Sequence, residues 1–557
     1  MNTQAAESGS NSNCRGRRRQ CLCLISAFMS LLSSCANVHS AAIANDLFEL
    51  YEIDTGNARQ QTVIPGFFLG DTMSEIVVVH LDESNQRKLQ MFGLEGDNWL
   101  GLLDATLDPG VLFLDVVSGG GRDRLITYTS GQLNWFDPDS ATESPLMNIE
   151  IDFHATDGER IPHLDITRDL NGDGRDDLVV PNINGFWISI QLSDGSFTNP
   201  LQLGPPEPFR DAPGLVGSGI DRSRSYAEVG ITELTLPLYL SRVYEVDFNR
   251  DGRGDLIFWN EDHFDIYYQD QRRQFDPVPE TFTVDVPFDA DGAYTLMYAL
   301  NDESTFSFIS GLRENSKQTV LHLLQDLNGD QVADIATLSL EGRSFFSRRS
   351  RYEVHFGMLT PEGIVFSQEV STTIHRRGMA AGIQPWGYSS EKIQDFNSDG
   401  LVDIMFSDIR MGIGGISRAL LANSVAMDLE FYEFENGVYP DQPTASFDIR
   451  PDLRPLAGRK AIFFPVALMG DVNGDSRSEL IVAQSRQELQ VYLGTEDSDL
   501  FVREPLILSV PLPADQLANV RMVDLNMDDK QDLIIKHPSS TEPHRLNILI
   551  ANPIDQE

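Results

Sequence analysis

The chain has 557 residues and carries 84 acidic against 42 basic side chains, a formal net charge of −42. That balance repels nucleic acid and anionic membrane surfaces and favours divalent cations as partners. All four cysteines, Cys14, Cys21, Cys23 and Cys35, lie at the N-terminal end, so neither disulfides nor thiolate-bound zinc can hold the rest of the chain.

In chain order, the first predicted element is a targeting segment. Arg15, Arg17, Arg18 and Arg19 precede an apolar run from Cys21 to Leu32 that is too short to span a bilayer as a helix. The run ends in Leu32-Ser33-Ser34-Cys35, which resembles a bacterial lipobox with Cys35 as the lipid-bearing residue. Residues 1–35 are therefore read as signal peptide and lipobox, and residues 36–557 as the exported body. The expected location is the outer membrane, periplasm or cell surface, with membrane contact only through the lipid. Cleavage after Ala42-Ile43-Ala44 is the alternative and gives a secreted soluble product. Next, Leu47 to Tyr51 reads as a free strand, and residues 46–53 are expected to complete the last sheet of the chain.

From residue 169 onward a pattern Asp-x-Asn-x-Asp-x-x-x-acid occurs six times: DLNGDGRDD, DFNRDGRGD, DLNGDQVAD, DFNSDGLVD, DVNGDSRSE and DLNMDDKQD. Each copy is followed by a short apolar run such as Leu178-Val179-Val180, and most are preceded by one. Apolar runs of this length rich in β-branched residues, bounded by turn signals, read as buried strands, so each unit is strand, polar loop, strand. Oxygen ligands at alternate loop positions wrap a hard cation such as calcium. The candidate side-chain ligands are Asp169, Asn171, Asp173 and Asp177; Asp247, Asn249, Asp251 and Asp255; and Asp326, Asn328, Asp330 and Asp334. The remaining three loops supply Asp395, Asn397, Asp399 and Asp403; Asp471, Asn473, Asp475 and Glu479; and Asp524, Asn526, Asp528 and Asp532. Position 7 offers a backbone carbonyl, from Arg175, Arg253, Val332, Leu401, Arg477 or Lys530. Up to six Ca²⁺ ions are expected. An EF-hand is excluded, because position 12 falls inside the outgoing strand rather than supplying a bidentate Glu. Position 6 is Gly in three loops and Gln331, Ser476 or Asp529 in the others, where the turn is expected to be strained.

Two degenerate copies precede the six, at 67–79 and 112–127, the second keeping Asp115 and Asp123. Eight unit starts predict an all-β chain, a single β-propeller of about eight four-stranded blades, with seven as the alternative. Wide spacing places inserted loops near 205–240, 284–316, 370–390 and 410–460, with a short helix over 412–424.

These units resemble the FG-GAP/VCBS repeats of integrin α-subunit propellers and of many bacterial surface proteins. The resemblance implies one blade per repeat, with calcium in the loop between its first two strands. It says little about function, since the fold hosts many jobs. Arg253-Gly254-Asp255 spells an integrin-ligand tripeptide, but Asp255 is a metal-loop position, so the match is dismissed. A basic and aromatic cluster, Arg343, Arg348, Arg349, Arg351, Arg376 and Arg377 with Trp386 and Tyr388, forms a candidate patch for an anionic glycan or for a partner's carboxylates. Neutralisation of neighbouring acidic loops is the plainer reading. No H-E-x-x-H, G-x-S-x-G or P-loop pattern is present. The expectation is a monomeric, non-catalytic envelope-binding or adhesion module that recognises a protein or glycan through the inserted loops. A polysaccharide-lyase-like enzyme and an envelope-assembly scaffold are the alternatives.

Overall fold

A computed structural model describes residues 47–552 apart from 71, 120, 156–157, 183–184, 206–239, 241–242, 261, 289–317, 342–348, 362, 378, 384–394, 411–425, 450–465, 484, 496–499 and 514–518. In several strand stretches, including 349–350 and 376–377, only the backbone is described. The predicted signal peptide, Cys35, the 412–424 helix and most of the predicted insertions lie outside the described residues.

The apolar run after each loop becomes the second strand of a four-stranded antiparallel sheet. Ile76 to Val79, Leu178 to Val180, Leu256 to Phe258 and Leu533 to Ile535 are at most 2 % exposed, so these strands are covered on both faces. A strand buried on both sides reads as continuous hydrophobicity rather than alternation, which is why the run is so legible.

Eight such sheets, or blades, follow one another along the chain. Seven are local, spanning Thr62–Thr106, Phe113–Asn148, Thr167–Leu203, Tyr244–Phe282, Gln318–Arg377, Met379–Ile449 and Ala467–Ser509. The eighth combines Val520–Val523, Asp532–His537 and His544–Ala551 with the N-terminal strand Phe48–Gly56, in the order N-terminal strand, last, middle, first. The N-terminal strand runs antiparallel to the C-terminal one, with Phe48 opposite Ala551 and Ile53 opposite Leu546. The predicted outer strand is thus in place, and eight blades rather than seven is the count.

Apolar layers join neighbouring blades all the way round. Ile64 and Val77 of blade one share a cluster with Leu125 and Phe136 of blade two. Blades two, three and four share another, through Ile126, Val179 and Phe258. Further clusters tie blade four to five, five to six, six to seven and seven to eight. The last returns from Ile534 and Ile548 of blade eight to Ile76 and Val78 of blade one. Packing that closes on its starting blade is a propeller ring, and closure removes the sheet edges on which unwanted strand pairing starts.

Two expectations change. The described part of the region 370–390 is strand and not inserted loop: Thr372–Arg377 is the outer strand of blade five and Met379–Ile383 the first strand of blade six, while 384–390 lie outside the described residues. The extra material in blade five is instead a small hairpin, Gly357–Thr360 paired with Gly363–Phe366, inserted before that outer strand. Asp115 also does not open a metal-type loop. It lies within the first strand of blade two, opposite Ile126, and the loop there is only residues 118–123.

Candidate metal loops and the ring they form

All six predicted loops adopt one conformation, set by carboxylates that accept backbone N–H groups. The Asp at position 1 accepts from position 6 at 2.7–3.1 Å in every copy, as in Gly252 N to Asp247. The Asp at position 5 accepts from position 7 at 2.8–3.1 Å. The Asn at position 3 accepts from position 5 in five loops. In the first loop Asp169 takes that donor instead.

This geometry requires left-handed backbone twice per loop. At position 6, Gly174, Gly252 and Gly400 have φ between 79° and 82°, while Gln331, Ser476 and Asp529 hold 63°, 69° and 65°. Position 4 is left-handed as well: Gly172, Gly329 and Gly474, but also Arg250, Ser398 and Met527. Left-handed backbone favours Gly because a Cβ crowds the following carbonyl. The strain expected at position 6 is therefore matched at position 4, a requirement that spacing alone did not disclose.

The acid at position 9 does something different from its neighbours. Asp177, Asp255, Asp334, Glu479 and Asp532 are 0 % exposed and Asp403 is 1 %. One carboxylate oxygen accepts the position 2 N–H at 2.8–3.1 Å. The other accepts an N–H at or just beyond the end of the blade's third strand, from Gln191, Gln269, Gly357, Phe434, Gly494 or Ala551, at 2.7–3.3 Å. Position 9 is a staple between loop and third strand, a role not seen in the sequence. Burial, with the position 5 and position 1 carboxylates adding repulsion, pushes Asp177 and Asp334 up to about 7 and Glu479 up to about 8.

Composition suits a hard cation: three carboxylates, an amide oxygen and a position 7 carbonyl in each loop. Among the described residues, however, no three His, Cys, Asp or Glu side chains converge as a metal cluster, the loop carboxylates being turned onto backbone N–H groups. Some negative charge is answered from within the chain. Position 7 basic side chains reach the position 5 carboxylates, Arg175 to Asp173, Arg253 to Asp251 and Lys530 to Asp528, with Arg477 at 3.8 Å from Asp475. In blades five and six position 7 is Val332 or Leu401, which brings no charge.

The loops also hold the ring together. Gln531 N donates to Asp471 O of the preceding blade's loop at 2.7 Å, Asp176 N to Ser118 O at 2.9 Å, and Ser478 N to Phe396 O at 3.4 Å. Ser74 N of blade one donates to Leu525 O of blade eight at 2.6 Å, which carries the chain of contacts across the closure. Blade one, although degenerate, keeps a buried acid at the same place: Glu75 accepts from Phe68 N and Leu69 N of its own loop at 2.8 and 2.9 Å, both on one oxygen.

The predicted basic patch is only partly described. Strand register sets Arg349 opposite Arg377, Ser350 opposite Arg376 and Arg351 opposite His375 on the outer strands of blade five. Arg351 sits 3.3 Å from Glu353. Arg343, Arg348, Trp386 and Tyr388 lie outside the described residues.

No protein-family model matches the chain, and no curated protein does. Its likeness is to solved propellers. The Vibrio cholerae biofilm matrix protein Bap1 is 10 % identical over 92 % of both chains, with a TM-score of 0.35. The Dos1 propeller is 10 % identical over 91 % of this chain and 97 % of its own, with a TM-score of 0.34. The WD40 domain of SCAP from fission yeast is 11 % identical over 83 % of this chain and 97 % of its own, at 0.26.

Proposed function

We propose that this chain is a non-catalytic, calcium-stabilised binding or adhesion module of the bacterial cell envelope. It is exported, anchored by lipid on Cys35, and recognises a protein or glycan partner. The observation that carries the non-catalytic part is the use made of the buried acids. Asp177, Asp255, Asp334, Asp403, Glu479 and Asp532 each accept backbone N–H groups on both oxygens, so they hold loops rather than wait for a substrate. Buried Asp115 is likewise committed, to Ile166 N at 2.7 Å and to His163 at 2.8 Å. The calcium part rests on the donor set and on the loop shape repeated at six places. The side chains to hold it are those at positions 1, 3, 5 and 9, with the position 7 carbonyl.

Bound calcium supplies counter-charge to each loop, and a cation that binds only the folded form raises stability by mass action. Thermal unfolding of the exported chain should therefore shift upward through roughly millimolar calcium, the range of extracellular modules. Asp330→Ala and Asp399→Ala should blunt that shift most, because their loops carry no basic residue at position 7. A melting temperature indifferent to calcium, chelator and both substitutions would remove calcium from the reading. The binding role is tested by pull-down of isolated envelopes with and without calcium.

The lyase alternative draws on one observation, the register that brings Arg349, Arg351, His375, Arg376 and Arg377 onto adjacent strands. It predicts release of unsaturated products from an anionic polysaccharide, read as the new ultraviolet absorbance of their conjugated double bond.

A further inference from the structure

Blade two breaks the rule that the other seven obey. They carry a buried acid as the last loop residue, entering the second strand: Glu75, Asp177, Asp255, Asp334, Asp403, Glu479 and Asp532. In blade two the register places Arg124 there, opposite Val117. The loop before it has contracted to Ser118-Gly119-Gly120-Gly121-Arg122-Asp123, and a Cβ built on Gly121 would meet nothing within 4 Å. No staple can form, and the arginine turns outward.

Its guanidinium lies over the indole of Trp135, 5.0 Å from the ring centroid, on the third strand of the same blade. Phe197 of blade three packs at 6.0 Å from the same ring, tilted by 38°. Arg124 also donates to Gly195 O at 3.2 Å, which fixes the turn at 192–195 of blade three against blade two. Around this post two cavities open, of about 400 and about 540 Å³. Both are lined by Arg124, Trp135, Asp194 and Gly195, and the larger extends to Arg122, Asp137 and Asp139. Trp135 is half-buried, while Asp137, Asp139 and Asp194 are exposed.

The geometry points to a saccharide-binding groove between blades two and three, with Trp135 as its platform and a neutral, polyhydroxylated oligosaccharide as its ligand. An indole held in place by a cation and an aromatic neighbour offers an apolar surface with little left to order on binding. The axial C–H face of a pyranose matches such a surface. Sugar hydroxyls donate to the carboxylates of Asp194 and Asp137 and accept from the Arg124 guanidinium, so both halves of each hydroxyl find a partner. Four carboxylates near the groove, Asp123, Asp137, Asp139 and Asp194, disfavour an acidic sugar. Each cavity falls within the roughly 300–1,000 Å³ typical of small-molecule sites. This inference rests on the binding role proposed above and names its ligand class and place.

The test is titration of the purified full chain with cellohexaose, maltohexaose and mannohexaose, and with an alginate hexamer as the anionic arm. Calorimetry and tryptophan fluorescence are the readouts. One neutral hexasaccharide should bind at about 1 mM or tighter, a range that carries about −4 kcal/mol. Trp135→Ala should weaken it at least tenfold, or about 1.4 kcal/mol. Trp135→Phe should restore most of the affinity, and Asp194→Asn, an exposed change that spares the fold, should weaken it severalfold. The assignment falls if no neutral hexasaccharide binds, if alginate alone binds, or if Trp135→Ala and Asp194→Asn both leave binding unchanged. Envelope pull-down separates the two ideas. Envelope binding that survives Trp135→Ala sinks the groove and leaves the module standing, whereas a wild-type chain that retains neither sugar nor envelope sinks both.

Discussion

At the scale of single residues, the loops are governed by backbone conformation as much as by charge. Gly252 at position 6 has φ of 81°, and a Cβ there would touch nothing within 4 Å. The cost of Gly252→Ala is thus purely conformational, about 1 kcal/mol. Gln331 holds the same position with a side chain, so Gln331→Gly should gain about 0.5–1 kcal/mol, the left-handed penalty less the entropy of glycine. Urea denaturation of both variants, at fixed calcium, measures the pair. Opposite signs are expected, and a destabilised Gln331→Gly would show that the glutamine side chain contributes something the backbone does not. Position 9 was legible only as one more acid in a repeating pattern. Its partners sit well along the chain, Asp177 with Gln191 N and Asp532 with Ala551 N, so no local spacing could disclose the staple.

At the scale of strands and blades, what could be read best was what is buried on both faces. The second strands announce themselves as uninterrupted apolar runs, and the short polar loops between them bound each run. Third and outer strands were harder, because half-exposed strands such as Glu488–Tyr492 alternate and outer ones such as Asn98–Thr106 are largely exposed. That weakness explains why the insertion expected near 370–390 begins on a strand: Thr372–Arg377 pairs with Arg349–His355 along six residue pairs. The closing strand is the element on which most depends. Ile53, 3 % exposed, packs with Ile76 and Val78 of blade one and with Ile534 and Ile548 of blade eight, so it spans the seam. Ile53→Ala should therefore cost about 2–4 kcal/mol, the range for truncating a buried Ile. The loss should come with faster proteolysis between residues 47 and 61. A near-neutral result would mean that the ring closes without this strand.

At the scale of the whole molecule, the contacts that matter cross from blade to blade. The apolar layers run around the whole circle, loop-to-loop hydrogen bonds join blade two to three and blades six, seven, eight and one in series, and neither stops at the junction of blade eight with blade one. A linear array of repeats can fray from its ends, but a ring with no free end must open somewhere first. Unfolding of residues 36–557 in calcium should therefore be one transition, with fluorescence and circular dichroism coincident. Resolved transitions that follow individual loop substitutions would instead mark the blades as independent. The groove at Trp135 belongs to this scale too. Trp135 and Phe197 are far apart in sequence and come from successive blades, so only the packing of one blade on the next creates it.

The sequence by itself determined the loop-by-loop repeat, narrowed the blades to eight or seven and pointed to the circular partnership of the two ends of the body. Each of those follows from local hydrophobic runs, turn residues and a pattern repeated until chance is excluded. Tertiary structure alone decided what the repeated acids hold, where the pattern gives way and what opens there. A carboxylate's job depends on which N–H groups and charges face it, and here those come from the far end of a blade. At blade two an arginine replaces the acid, and its meaning appears only when Trp135 and the neighbouring turn are folded against it.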